Sequence, residues 1–115
     1  MINLDPSKIY SYIIAIMRYA ILVSPEAADN LKQMNAYDKA AVKELIDVHL
    51  RHEPMKESKS RIKKLHGISH PQYRLRVGKW RVFYDVFGST VELLAIFSKQ
   101  EALEWLKQQE QEETK

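Results

Sequence analysis

Side chains that suit phosphate recognition are concentrated in the middle of this 115-residue chain. The segment from Arg51 to Arg81 holds ten basic residues and two acids, so its formal charge is +8, whereas the remaining 84 residues sum to −5. Guanidinium groups bind phosphate oxygens in pairs and stay charged at any working pH. We therefore expect a polyanion as the partner of this segment. The alternative is a solvated surface that serves only solubility.

The clearest local pattern within this segment is a β-hairpin. Residues 73–77 and 80–86 alternate between apolar and polar side chains, and Gly78-Lys79 stands between them as a two-residue loop. Such a loop places Val77 opposite Trp80, and directly opposed residues share one face of the sheet. One face is then apolar, formed by Tyr73, Leu75, Val77, Trp80, Val82 and Tyr84. The other face carries Arg74, Arg76, Arg81 and Phe83.

This register sets Arg76 opposite Arg81, and like charges across a ladder repel. An anion is therefore needed on that face. We expect a phosphate to supply it, with Phe83 stacking on a base. The alternative is that the arginines pair with acids of this chain, such as Asp85, Glu92 or the acidic C-terminal residues.

The flanking elements predict an α+β fold. Residues 18–23 favour a first strand, and Ser24-Pro25-Glu26 is a typical helix start. Asp38 is expected to cap a second helix that Pro54 closes, which gives a helical hairpin. Residues 55–70 are expected to form a long basic loop, residues 90–96 a further strand and residues 98–106 a short C-terminal helix. The prediction is two N-terminal helices on an antiparallel sheet of about four strands.

We divide the chain into an N-terminal extension (1–17), one domain (18–106) and a polar acidic tail (107–115) expected to be frayed or disordered. Two interpretations of the extension stay open. It either lies upstream of a natural start at Met17 or adds a helix or strand to the domain.

Several classes of function are excluded by composition. The chain has no cysteine, which removes disulfides, thiol nucleophiles and zinc-thiolate sites, and its three glycines form no phosphate-binding loop motif. Its four histidines form no H-E-x-x-H motif, and we expect no metal and no cofactor. The apolar run at 9–16 is too short to span a bilayer, and we expect a cytoplasmic protein without membrane contact.

Two motifs resemble the RelE/ParE family of bacterial type II toxins. They are Lys64-Leu65-His66-Gly67 and the hairpin from Tyr73 to Tyr84, and the similarity runs from about Arg18 to Leu106. The resemblance implies an antiparallel sheet with two N-terminal helices on one side. It also implies a metal-independent ribonuclease that cuts messenger RNA on the ribosome, by attack of a ribose 2′-OH on the adjacent phosphate, and a cognate antitoxin as partner.

From this resemblance and the charge pattern together, we expect Arg74, Arg76, Arg81 and His66 to be catalytic. We expect Lys63, Lys64, Lys79, Phe83 and Lys99 to bind RNA. His70 is a second candidate for the proton-transferring base. The chain departs from the family after its last strand, where Lys99 or Gln100 replaces an arginine and Trp105 or Leu106 replaces a tyrosine. Two alternatives therefore stay open: a ParE-like inhibitor of DNA gyrase, and a degenerate member that binds antitoxin or RNA without cleaving.

Overall fold

The computed structural model describes residues 18–113 of the chain, so the extension predicted at 1–17 lies outside the described residues. The strands are β1 (Ala20–Val23), β2 (Ile62–Lys64), β3 (Tyr73–Val77), β4 (Trp80–Phe87) and β5 (Thr90–Ser98). The helices are α1 (Pro25–Lys32), α2 (Ala36–Leu45) and α3 (Lys99–Glu113), and α2 continues into a π-helical turn over Ile46–Leu50. The α+β class predicted from the sequence is confirmed.

The sheet has five strands in the order β1-β5-β4-β3-β2 and is mixed. β1 runs parallel to β5, with Ala20 opposite Thr90 and Val23 opposite Leu93, while the other neighbours are antiparallel. The prediction of about four strands, all antiparallel, is corrected: the sheet has five strands, and one pair of them is parallel. The fifth strand is β2, which lies inside the predicted basic loop and pairs with β3 through three residues, too few for an alternating pattern to be visible.

The helical hairpin is confirmed, but one of its boundaries differs from the prediction. Ser24 caps α1 as expected, since its side chain accepts a hydrogen bond from the backbone N–H of Ala27. The cap of α2 is Asn35, whose side chain accepts from the N–H of Asp38 at 2.8 Å. Asp38 therefore lies in the first turn of the helix, where its charge favours the positive end of the helix dipole.

The core lies between the helical hairpin and the predicted apolar face of the sheet. Leu75, Val77, Val82 and Tyr84 are buried there together with Val42 and Leu50 of the second helical segment. The Tyr84 hydroxyl donates to the carbonyl of Pro54, and burial, with a smaller effect of Tyr73, raises the pKa of that hydroxyl far above its usual value. Each large apolar side chain buried here stabilises the fold by about 1.5–3 kcal/mol.

The outer face of the sheet is partly covered by α3. This helix extends to Glu113, so the prediction that residues after 106 are frayed or disordered is wrong for 107–113. Ala102 is buried and Trp105 packs on the strands, whereas Leu103 is 62% exposed. Between residues 18 and 113 there is no helix with both the length and the apolar character that a membrane crossing requires.

Candidate nucleic-acid interface

The predicted hairpin register is confirmed at every pair. Arg76 lies opposite Arg81, and Arg74 lies opposite Phe83. Gly78 has a φ of 56°, the left-handed conformation that two-residue hairpin loops favour in glycine. The rigid hairpin thus places all three arginines on the face of the sheet opposite the helical hairpin. We call this surface the arginine face.

The three arginines differ in exposure. Arg76 is exposed, Arg74 is half-buried, and only 7% of Arg81 is exposed. The Nη1 atom of Arg81 donates to the carbonyls of Gly78 at 2.8 Å and Trp80 at 3.0 Å, so part of its guanidinium is held against the hairpin loop. Arg76 is therefore the arginine that an external ligand reaches most directly.

The electrostatics of this cluster are unfavourable in the chain by itself. Burial, and then the charge of Arg76, lower the pKa of Arg74. The pKa of Arg81 is lowered most by burial and less by the charges of Arg74 and Arg76. The Nε atom of Arg74 is buried without a hydrogen-bond acceptor.

Within residues 18–113 no acidic side chain forms an ion pair with any of the three, so the alternative that acids of this chain neutralise them does not hold there. Among the described residues, none of these three guanidinium groups has an acidic partner.

The expectation that Phe83 is free to stack on a base is wrong for this arrangement. Its side chain is fully buried, and its ring centroid lies 5.0 Å from that of Trp105 in α3. Phe97 of β5 also packs on Trp105, at 5.7 Å. An apolar ring on the outer face of a sheet needs a cover, and here α3 provides it.

The lysines predicted to bind RNA are spread over different surfaces. Lys63 is exposed, pairs with Arg74 across β2 and β3, and therefore belongs to the arginine face. Lys64 pairs with Tyr73, which places it on the opposite face of the edge strand. Lys79 lies 3.7 Å from Asp38 of α2 and over the ring of Trp80, so it points toward the helical hairpin. Lys99 is exposed at the start of α3.

The two loop histidines have different surroundings. His66 is exposed and lines a shallow open depression with Lys59, Lys63 and Lys64. Nδ1 of His70 instead lies 2.7 Å from a carboxylate oxygen of Asp85, a pairing that the sequence analysis missed. Continuing the hairpin register by one pair sets residue 72 opposite Asp85, and that step would have brought His70 near it.

One further cation was missed. Arg61 precedes β2, and its Nη1 donates to the carbonyl of Arg76 at 3.1 Å. Burial and the charge of Arg61 lower the pKa of His49, which is only partly buried on the helical side. In the part of the chain that the structure describes, no three histidine or acidic side chains are grouped so that they could hold a metal ion.

Residues 21–103 match the family model described as the ParE toxin of the type II toxin–antitoxin system parDE. The chain belongs to this family, within the RelE/ParE group of toxins. No curated protein matches the chain by sequence.

Solved structures show the same fold. The toxin–antitoxin complex RelBE2 from Mycobacterium tuberculosis matches with a TM-score of 0.61 at 22% identity, over 73% of this chain and 94% of that one. The archaeal RelE–RelB complex from Pyrococcus horikoshii matches with a TM-score of 0.60 at 24% identity, over 72% of this chain and 97% of that one. The RelB–RelE complex from Methanococcus jannaschii matches with a TM-score of 0.58 at 23% identity, over 73% and 96% respectively.

Proposed function

We propose that this toxin is a ribosome-dependent messenger-RNA endonuclease that acts in the cytoplasm and inhibits translation. The observation that carries the proposal is the arginine cluster: three guanidinium groups on a rigid hairpin repel one another and have no acid partner among residues 18–113. A phosphodiester is the anion that such a cluster fits, because it accepts paired hydrogen bonds and neutralises the shared charge.

The chemistry that follows is attack of a ribose 2′-OH on the adjacent phosphorus. Charge builds up on the phosphoryl oxygens in the transition state, and preorganised cations stabilise it there more than in the ground state. Arg76 and Lys63 are exposed on the arginine face and are suited to contact the phosphate directly. Arg74 and Arg81 act from partly or largely buried positions, where a lower dielectric strengthens their field.

The ribosome has a physical role in this proposal. Cleavage needs the 2′-OH, the phosphorus and the leaving oxygen in line, and free RNA rarely holds that geometry. Orientation in a bound complex supplies on the order of 7–11 kcal/mol of the barrier in the best intramolecular cases. We therefore expect cleavage of messages under translation and poor cleavage of free RNA.

A cognate antitoxin is the second partner that we propose. Three of the structural relatives are complexes of a toxin with its antitoxin. An acidic segment of such a partner would supply the charge that the arginine face lacks, in the manner of a peptide laid along a basic surface.

The test is a brief induction of the toxin in bacteria followed by mapping of RNA ends. We expect translation to stop and new 5′ ends to appear inside translated messages. Arg76→Ala should remove both effects, because the exposed guanidinium is lost without opening a cavity. Arg18→Ala is the matched control, since Arg18 is also exposed but lies near Asp47 outside the arginine face. Intact messages after induction of the wild-type toxin would overturn the proposal.

Inhibition of DNA gyrase is the second candidate, and two observations favour it. The family model that matches is named for ParE, and Gln100 stands where ribonuclease members carry a post-strand arginine. Such a toxin would leave messages whole and induce a DNA-damage response. Intact messages with normal growth would instead indicate the third alternative, a degenerate member that binds without cleaving.

A further inference from the structure

His70 and Asp85 form an oriented pair at one end of the arginine face. Nδ1 of His70 lies 2.7 Å from Oδ2 of Asp85, and the second carboxylate oxygen accepts the backbone N–H of Gln72 at 2.8 Å. The Asp85 side chain is only 5% exposed, whereas that of His70 is 56% exposed. A buried acceptor thus holds an accessible imidazole.

The hydrogen bond decides which ring nitrogen carries the proton. An ionised carboxylate only accepts, so Nδ1 of His70 donates its proton to Asp85. In the neutral ring, Nε2 then has a free lone pair, and the described chain offers it no hydrogen-bond partner. This is the arrangement of a general base whose tautomer is fixed by a carboxylate.

The sheet register places this pair beside the arginines. On the arginine face, Arg76 and Arg81 form one row, Lys63, Arg74 and Phe83 the next, and Asp85, two residues beyond Phe83 on β4, marks a third. Successive rows are about 7 Å apart, because a strand rises about 3.4 Å per residue. A guanidinium of the second row and the imidazole beside the third can therefore reach the same phosphodiester.

Two acids adjoin this histidine from different elements. Asp85 contacts its ring from β4, and Glu113 at the end of α3 accepts the backbone N–H groups of Ser69 at 2.8 Å and His70 at 3.2 Å. The ring of Phe87 lies 6.4 Å from that of His70. The histidine loop is thus fixed at both its backbone and its side chain.

We infer that His70, oriented by Asp85, is the general base of RNA cleavage at the arginine face, an inference that rests on the ribonuclease function proposed above. Nε2 takes the proton of the ribose 2′-OH while the bond from O2′ to phosphorus forms. The bond from phosphorus to O5′ breaks, and the leaving O5′ takes its bonding pair and then a proton from water. The products are a 2′,3′-cyclic phosphate and a 5′-OH.

The decisive variant is His70→Asn. The asparagine amide nitrogen occupies the place of Nδ1 and still donates to Asp85, but no group replaces Nε2. In single-turnover cleavage on programmed ribosomes, we expect the rate to fall by about 10²–10⁴-fold, the usual contribution of a positioned base. Binding of the variant to the ribosome should change by less than about 2-fold, because the arginines are untouched.

The pH profile separates a base from a structural residue. A general base acts only when it is unprotonated, so the wild-type rate should rise with pH, and that rise should be absent in His70→Asn. Added imidazole should restore cleavage to His70→Gly. A His70→Asn variant with the wild-type rate and profile would overturn the inference and leave the ribonuclease function standing.

Two other outcomes would also overturn the inference. Slow cleavage that keeps the wild-type pH profile and is not rescued by imidazole would assign His70 a structural role and overturn the inference. Absence of cleavage by the wild-type toxin would overturn the inference together with the ribonuclease function.

Discussion

Replacing Arg74 by methionine should make the toxin more stable and less active. The Nε atom of Arg74 is buried without an acceptor, and Arg76 lies beside it on the same strand. A buried donor left unpaired costs about 1–3 kcal/mol. Methionine has a similar stem, fills the same space and carries neither the donor nor the charge. We therefore expect Arg74→Met to raise the free energy of unfolding by about 1 kcal/mol.

The expected effect on the melting temperature follows from the size of the domain. For a domain of about 100 residues, 1 kcal/mol corresponds to roughly 4–8 °C. The part of the gain that comes from relieved repulsion should shrink as salt is added, because salt screens exposed charges such as that of Arg76. The part that comes from the unpaired buried donor should persist at high salt.

The gain should not depend on pH between about 6 and 9. A cation whose pKa is lowered by folding destabilises the fold wherever it is charged, and the penalty disappears only as pH rises through the lowered pKa. Arginine stays protonated throughout this range, so the penalty is constant within it. Equal gains at pH 6 and pH 8 are therefore expected.

Thermal unfolding with and without inorganic phosphate measures both the stability of each protein and its stabilisation by an anion. Phosphate at 100 times its dissociation constant should stabilise the wild-type toxin by about 2.7 kcal/mol, and it should stabilise Arg74→Met less. Arg18→Met is the control for loss of an arginine outside the cluster, with a change within about 0.5 kcal/mol. A less stable Arg74→Met, or equal phosphate effects on both proteins, would refute the account of the arginine face.

Three further predictions concern the fold. Leu75→Ala should lower the free energy of unfolding by about 2–5 kcal/mol in urea titrations, because Leu75 is fully buried; a cost under 1 kcal/mol would contradict its place in the core. Glu113→Ala should speed amide hydrogen exchange at Ser69 and His70, since the carboxylate accepts both N–H groups, and unchanged exchange would show that this contact does not hold the loop. A chain beginning at Met17 should melt within about 8 °C of the full chain, a shift of about 1 kcal/mol; a larger fall would make residues 1–16 integral to the domain.

The sequence was sufficient for the hairpin because two independent signals agree there. The alternation of residues 73–77 fixes which side chains share a face, and the Gly78 loop fixes the register. Counting outward from the loop therefore places Arg76 opposite Arg81. The helix start at Ser24 could also be predicted from neighbouring residues, because a capping side chain bonds within the first turn of its helix. For the second helix the same rule predicted Asp38, whereas the cap is Asn35, three residues earlier.

What the sequence did not reveal depends on contacts between distant segments. Phe83 is buried because α3 covers it, and that polar helix carries only Trp105 and a few apolar neighbours as signals of its packing. The pairing of β2 is too short to leave a pattern. The contact of His70 with Asp85 joins a loop to a strand across 15 positions, and only the extended hairpin register indicates it.

The position of α3 after the hairpin in the chain means that Phe83 is covered late during synthesis. The β3–β4 hairpin is local, and its two strands are complete once Phe87 has been added. Trp105 follows 18 residues later, which takes about 1–4 s at 5–20 residues per second. For that interval the hairpin strands are complete but Phe83 lacks Trp105, the ring that packs on it in the folded chain.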